Sequence, residues 1–223
     1  MTKPEPDGAK LTLSDLLAGG AHDAAAQTIR VTATAWKTVL AKSRPNVWNS
    51  LEARESVDRA WVRSFQDAPA LDLLAASMVW GFGPISYGPF RVREMLTTRG
   101  ADQSAEAIRA DLRDGGPEKG FASLFAKGRP RLRYLGVAFG TKFLAFATDP
   151  DRPTSAYVYD KNVWKGLKLL AVPPTQFADP GGYVRATQYR DYCAWISKHA
   201  AIVGFAHGED LELALFRLGR NPR

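Results

Sequence analysis

Few residues in this 223-residue chain are equipped for chemistry, and their types narrow the choice. The single cysteine, Cys193, stands in an apolar-aromatic string with Tyr192, Ala194 and Trp195. A lone thiol makes no internal disulfide, no multi-thiolate zinc site and no iron–sulfur cluster, and in that setting it reads as a buried structural residue. The histidines His22, His199 and His207 show no metal-ligand spacing, so neither a metal nor a cofactor is expected. Segment 131–167 stands out: RLRYLGVAFGTKFLAFATDPDRPTSAYVYDKNVWKGL. Gly136 and Gly140 border a hairpin expected over 135–140, and Thr141-Lys142 opens the helix expected after it. Glycines let a backbone come close to a ligand, and free N–H groups at a helix N-terminus suit a phosphate. A plain turn between two helices has the same pattern. Taken alone, Lys142 reads as a phosphate contact or a solvated charge, and Asp160 as a helix N-cap.

Charge points to the same segment. The net charge is +7, and residues 119–168 hold ten Lys/Arg against three Asp/Glu, so the rest of the chain sums to zero. A basic excess this local favours an anionic partner, nucleic acid before membrane, although a solvated basic face has the same signature. Lys127, Arg129, Arg131 and Arg133 precede the hairpin and are candidates for phosphate contacts, which position DNA without reading its sequence. No run of about 18 apolar residues exists, so no membrane span is expected. Residues 1–10 mix charge, Pro and Gly without an apolar run; they read as a disordered lead-in, not a secretory signal.

Hydrophobic periodicity supplies the elements that must carry these residues. It predicts an all-α chain of about ten helices in a compact array with no large sheet. Helices are expected over 11–17, 21–42, 51–66, 71–80, 90–98, 104–114, 117–127, 141–148, 160–170, 183–199 and 209–218. The stretch 71–80 is apolar on nearly all sides and should be a buried helix. Gly115-Gly116 should end one helix and Pro117 start the next. Tyr157-Val158-Tyr159 is the only short β-like string, and Pro173-Pro174 is a stop. One helical domain over 11–223 is expected, with room for two lobes flanking a cleft at the hairpin. A turn at 43–46 brings Asn46 and Asn49 forward, and the loop 80–89 brings Trp80, Phe82 and Tyr87; these five are candidates for a base pocket or a wedge. For Trp80, packing within the core competes with that role.

The stretch around Lys142 resembles the helix-hairpin-helix DNA glycosylase superfamily, in particular its 8-oxoguanine glycosylase branch. That branch has a hairpin of the form L-P-G-V-G-x-K and, further on, an aspartate in a V-D-x-x-V context. Leu135, Gly136, Val137, Gly140, Thr141 and Lys142 match the first element, and Asp160 and Val163 match the second, with Lys and Asp 18 positions apart. The hairpin is one residue longer here, through Ala138-Phe139. Leu135 stands directly before its first glycine, Val158-Tyr159 before the aspartate, and Lys161-Asn162 after it where a histidine is common.

The resemblance implies that Lys142 and Asp160 are the catalytic pair of an enzyme that flips a damaged or modified base out of double-stranded DNA and excises it. A carboxylate stabilises the oxocarbenium-like sugar of the transition state. A lysine amine forms a Schiff base with C1′, after which the strand is nicked by β-elimination; this is AP lyase activity. The amine must first lose its proton, which burial, a helix N-terminus and a neighbouring cation such as Lys161 favour. Gly136, Gly140, Thr141 and Lys161 join the basic residues as DNA contacts. Oxidised guanine, as in repair, and a modified base of phage DNA, as in antiviral defence, are both open as substrates. A monomer in the bacterial cytoplasm, associated with the nucleoid, is expected. The alternatives are a non-catalytic helix-hairpin-helix DNA-binding protein and a helical protein-interaction domain.

Overall fold

β-branched residues shape the start of the chain. Four of the five residues 28–32, Thr28, Ile29, Val31 and Thr32, are β-branched where a long helix was expected, and such side chains fit a pleated strand better than a helix. In the computed structural model, which describes Thr12 and residues 23–149, 154–170 and 177–220, β1 (Thr28–Arg30) pairs antiparallel with β2 (Ser56–Asp58), Ile29 opposite Val57. The helix expected over 21–42 is therefore shortened to α1 (Ala33–Ser43). The helix expected over 51–66 is replaced by α2 (Pro45–Leu51), β2 and α3 (Arg59–Arg63). Pro45 opens α2, where its missing N–H is not needed. The turn expected at 43–46 shrinks accordingly, and Asn46 and Asn49 lie on a helix. Asp58 ends β2 and caps α3 by accepting a hydrogen bond from Trp61 N at 2.7 Å.

The remaining helices are α4 (Ala70–Phe82), α5 (Gly88–Leu96), α6 (Ala101–Leu124), α7 (Val137–Phe146), α8 (Lys161–Leu169), α9 (Ala186–Ile202) and α10 (Gly208–Arg220). The array is all-α apart from the two-stranded ribbon among the described residues. In α4 every residue but Gly81 is buried, as its all-round apolarity requires. Within α6 the helical geometry breaks at Gly115 and Gly116, so the two helices expected there meet at the glycines. One continuous cluster of buried apolar side chains runs from Trp36 of α1 through α4 to Leu215 of α10. Expectations for residues 1–10, the remainder of 11–17, 150–153 and Pro173-Pro174 lie outside the described residues. Among the described residues no helix is long and apolar enough to cross a membrane.

Two glycines let α8 and α10 cross backbone to backbone. A Cβ on Gly219 would lie 1.9 Å from Asn162 O, and one on Gly166 would lie 2.2 Å from Leu215 O. Neither obstacle is a flexible side chain that could swing away. Gly219→Ala must push the helices apart, and a loss of about 3 kcal/mol is expected from such overpacking. For a chain of this size that lowers Tm by roughly 6–12 °C, as read by circular dichroism melting.

Candidate active site

From residue 155 the chain leading into α8 passes through the core in neither helix nor strand. Residues 155–159 are all buried, so their backbone polar groups need partners, and side chains supply them. Ala156 N donates to Thr148 Oγ1 (3.2 Å), Val158 N to Glu212 Oε2 (3.2 Å) and Tyr159 N to Thr141 Oγ1 (3.0 Å). From α9, the Tyr189 hydroxyl donates to Tyr157 O (2.8 Å) and the Tyr192 hydroxyl to Val158 O (2.6 Å). The β-like string Tyr157-Val158-Tyr159 thus forms no strand, and its backbone is paired with side chains instead of a sheet.

This segment delivers Asp160 to the N-cap of α8. Asp160 Oδ1 accepts from Asn162 N (3.0 Å) and Val163 N (3.1 Å), leaving Oδ2 to face Lys142 Nζ at 3.2 Å. The N-cap role and the pairing with lysine therefore coexist, one oxygen for each.

Lys142 comes from α7, which starts at Val137 and not at Thr141. The expected hairpin is correspondingly shorter, and Lys142 sits beyond the first helical turn, where the pull of the helix N-terminus has faded. Its side chain is 9% exposed. Nζ also lies 3.4 Å from Ala138 O and 5.4 Å from the Phe139 ring centroid. Gly81 leaves room for it: a Cβ there would sit 2.8 Å from Lys142 Cδ.

The early start of α7 corrects two expected DNA contacts. Gly140 is buried against Leu124, and Thr141 is fully buried with its hydroxyl on the Tyr159 backbone, so neither can reach a phosphate. Gly136 is the exposed N-cap of α7.

Lys142 and Asp160 open onto a cavity of about 630 Å³. Trp80, Phe82, Tyr87 and Lys161 line it too, whereas Asn46 and Asn49 are exposed on α2 and do not. Phe82 stacks on Phe139, another lining residue, with centroids 4.1 Å apart and planes 25° apart, and Tyr87 meets Phe82 edge-on at 6.0 Å. Trp80 is 6% exposed and packs edge-on against Phe146, which makes it a wall of the cavity rooted in the core. Lys161 is exposed, paired with Asp179 and lying 4.3 Å from the centroid of Trp164. The Trp164 indole donates to Phe177 O (3.2 Å) and braces α8.

The basic residues before the hairpin lie outside this cavity. Lys127 and Arg131 are exposed, and the Arg131 guanidinium lies 5.6 Å from the Phe125 ring centroid. Arg129 bonds Asp111 and Ser123, and Arg133 bonds Glu94 (2.9 Å), so these two charges are partly answered within the protein.

Sequence reasoning missed Glu212, Arg59, Gln27 and Phe139. Glu212 is buried on α10, lines the cavity, and accepts from Arg59 Nη2 at 3.0 Å as well as from Val158 N. Burial pushes its carboxyl up from the ordinary range while Arg59 opposes the shift. Arg59 is 1% exposed, also bonds Glu209, and lies 5.0 Å from the Trp80 centroid. Arg59 and Glu212 fall in segments expected only as helices, over 51–66 and 209–218, and nothing in their local pattern marks these charges as buried. The buried Cys193 thiol is pushed up to about 12 by burial, which suits an inert packing residue. Among the described residues no three His, Cys, Asp or Glu side chains gather closely enough to hold a metal ion.

Thr141 joins the backbone next to Lys142 to the backbone next to Asp160. Thr141→Val keeps the shape but leaves Tyr159 N buried and unpaired, a loss of about 1–3 kcal/mol. The change should also shift the amine relative to the carboxylate, because Thr141 ties their two backbones together. Thr141→Ser should restore most of the stability, as measured by thermal melting.

A family model described as "Putative 8-oxoguanine DNA glycosylase OGG-like protein" matches residues 22–216. Among curated proteins and solved structures, none matches the chain.

Proposed function

The chain belongs to the OGG-like DNA glycosylase family, and from that premise we propose that it excises a damaged or modified base from DNA with Lys142 as nucleophile and Asp160 as the stabilising carboxylate. What carries the reading is the 3.2 Å pairing of Lys142 Nζ with Asp160 Oδ2 on the wall of an aromatic-lined cavity of about 630 Å³.

The target nucleotide leaves the stack and its base enters the cavity against Phe82, Phe139 and Trp80. Lys142 gives up a proton to solvent, so that Asp160 stays ionised, and the free amine attacks C1′ as the bond from C1′ to the base breaks. The base takes the bonding electron pair and is then protonated. Positive charge builds on the sugar as the base departs, and the Asp160 carboxylate beside it lowers the energy of that state. The adduct next opens its sugar ring, O4′ takes a proton, and a Schiff base between Nζ and C1′ results. Loss of a C2′ proton then expels the 3′-phosphate, which is the lyase step. Lys127, Arg131 and the exposed N-terminus of α7 at Gly136 take DNA phosphates.

Oxidised guanine is the first substrate to try, since the family is described by it; a modified base of phage DNA, which would make the protein an antiviral factor, is the second. The experiment is to incubate the protein with duplexes carrying either kind of base in the presence of borohydride, then resolve adducts on a denaturing gel and identify released bases by mass spectrometry. A trapped adduct together with a released base is the expected result, and the identity of the base separates repair from defence. Binding without adduct or release would instead favour the non-catalytic DNA-binding alternative.

A further inference from the structure

Large apolar side chains left in water are unevenly distributed. Ile85, Tyr87, Phe90 and Tyr134 are 40–50% exposed, and Ile85 and Tyr87 also line the cavity that holds Lys142 and Asp160. The aromatic rings are interleaved with cations. The Arg91 guanidinium lies 4.4 Å from the Tyr87 centroid and 5.4 Å from that of Tyr134; Arg93 lies 5.3 Å from that of Phe90, which in turn tilts toward Tyr134 at 6.3 Å.

Tyr134 adds an independent observation. It is the only non-glycine residue with positive φ, +62°, among the described residues. A bulky side chain in that conformation is strained, and strain of this kind concentrates where function requires it. Here it presents an aromatic ring at the surface of the hairpin that leads into the lysine helix.

On intact duplex the guanidinium groups can meet phosphates, but a row of exposed rings has little to grip, because the base faces are stacked away. Unpaired bases offer a π-face each, and the arginines answer the phosphates between them. We propose that Tyr87, Phe90 and Tyr134, interleaved with Arg91 and Arg93, form a stacking platform for unpaired nucleotides at the mouth of the base cavity, so that the preferred substrate is DNA already opened or single-stranded around the target base. The inference rests on the glycosylase reading for its polymer, and it deepens that reading by naming the form of DNA taken.

Fluorescence anisotropy of the full chain with a labelled duplex, and with the same duplex carrying a central unpaired bubble, tests it. The wild-type protein should bind the bubble at least about tenfold more tightly, since each stacked base contributes on that order. Phe90→Ala and Tyr134→Gly should each remove about tenfold of bubble affinity, with little change in affinity for the paired duplex or in its salt slope. Both side chains are exposed, and Tyr134→Gly also relieves the backbone; a circular dichroism melt verifies that the variants are folded. Equal binding of bubble and duplex by the wild type overturns the platform, as does an equal loss on both DNAs in the folded variants. Borohydride trapping by the wild type on an abasic duplex reports the lysine chemistry separately. Trapping without bubble preference defeats the platform alone, whereas failure to bind any DNA defeats both readings.

Discussion

Lys142→Ala is expected to abolish the borohydride-trapped adduct and to lower base release by at least about 10³-fold, while DNA binding stays within a few fold of wild type. The amine is the atom proposed to form the covalent bond, so its loss removes a step and not merely a contact. In the proposed mode binding rests elsewhere, on residues such as Lys127 and Arg131, which are exposed and lie outside the cavity. Truncation also leaves Asp160 Oδ2 without its lysine, although Oδ1 keeps its two bonds to the first turn of α8. Some loss of stability therefore accompanies the change, and Lys142→Gln, closer in length and uncharged, serves as the control for shape. Both variants should be silent in trapping on a preformed abasic site, where no base has to leave. An adduct that persists in either variant would transfer the nucleophile to another amine, with Lys161 on the same cavity wall the first to examine.

Much of the helical framework could be read from periodicity because burial and helical spacing agree over long stretches. α4 is the clearest case: an unbroken apolar run has only a central, fully buried place to go. The glycine pair of α6 was legible for a similar reason, since it interrupts helical geometry wherever it falls. The ribbon of β1 and β2 was not legible. Each strand has only three residues, too short for alternation to emerge, and their pairing joins segments far apart in sequence. The start of α7 was misplaced because Gly140 invites reading as a turn residue. Its real constraint is the close approach of Leu124, a tertiary fact that local pattern does not carry.

The candidate site divides along the same line. Lys142 and Asp160 stood out through motif spacing, and the 3.2 Å between them depends on a fold that places the buried segment 155–159 beside α7. What surrounds them was hidden, because it comes from distant elements. Glu212 enters from the last helix to hold Val158, and Arg59 enters from α3 to pair with Glu212. Thr141 was noticed but given the wrong partner: a hydroxyl beside a hairpin glycine reads as a phosphate donor, and only burial turns it toward Tyr159. Residues that touch DNA can be sought in local charge. Residues that hold a catalytic group in place have to be sought in the packing.

Asp160→Asn separates those two roles within one side chain. The amide oxygen can still accept from Asn162 N and Val163 N, so the cap on α8 survives, and with it the crossing of α8 against α10. The negative charge facing Lys142 is what disappears. On the wall of the cavity, a fixed charge aimed at developing charge of the opposite sign is worth less than a whole mechanism but far more than a surface ion pair. Base release should fall by about 10²–10³-fold, with Tm lowered only slightly. The deficit should be largest where the bond to the base must break and smaller on a preformed abasic site, where the demanding cationic state has already been passed. Single-turnover release from a base-containing duplex, set against borohydride trapping on an abasic duplex, measures the two steps separately. Release within tenfold of wild type would assign Asp160 to capping α8 alone and move the stabilising charge elsewhere. The buried Glu212 on the same cavity is the next carboxylate to test, and because burial raises its pKa its contribution would weaken as pH falls, which a pH profile of Asp160→Asn would expose.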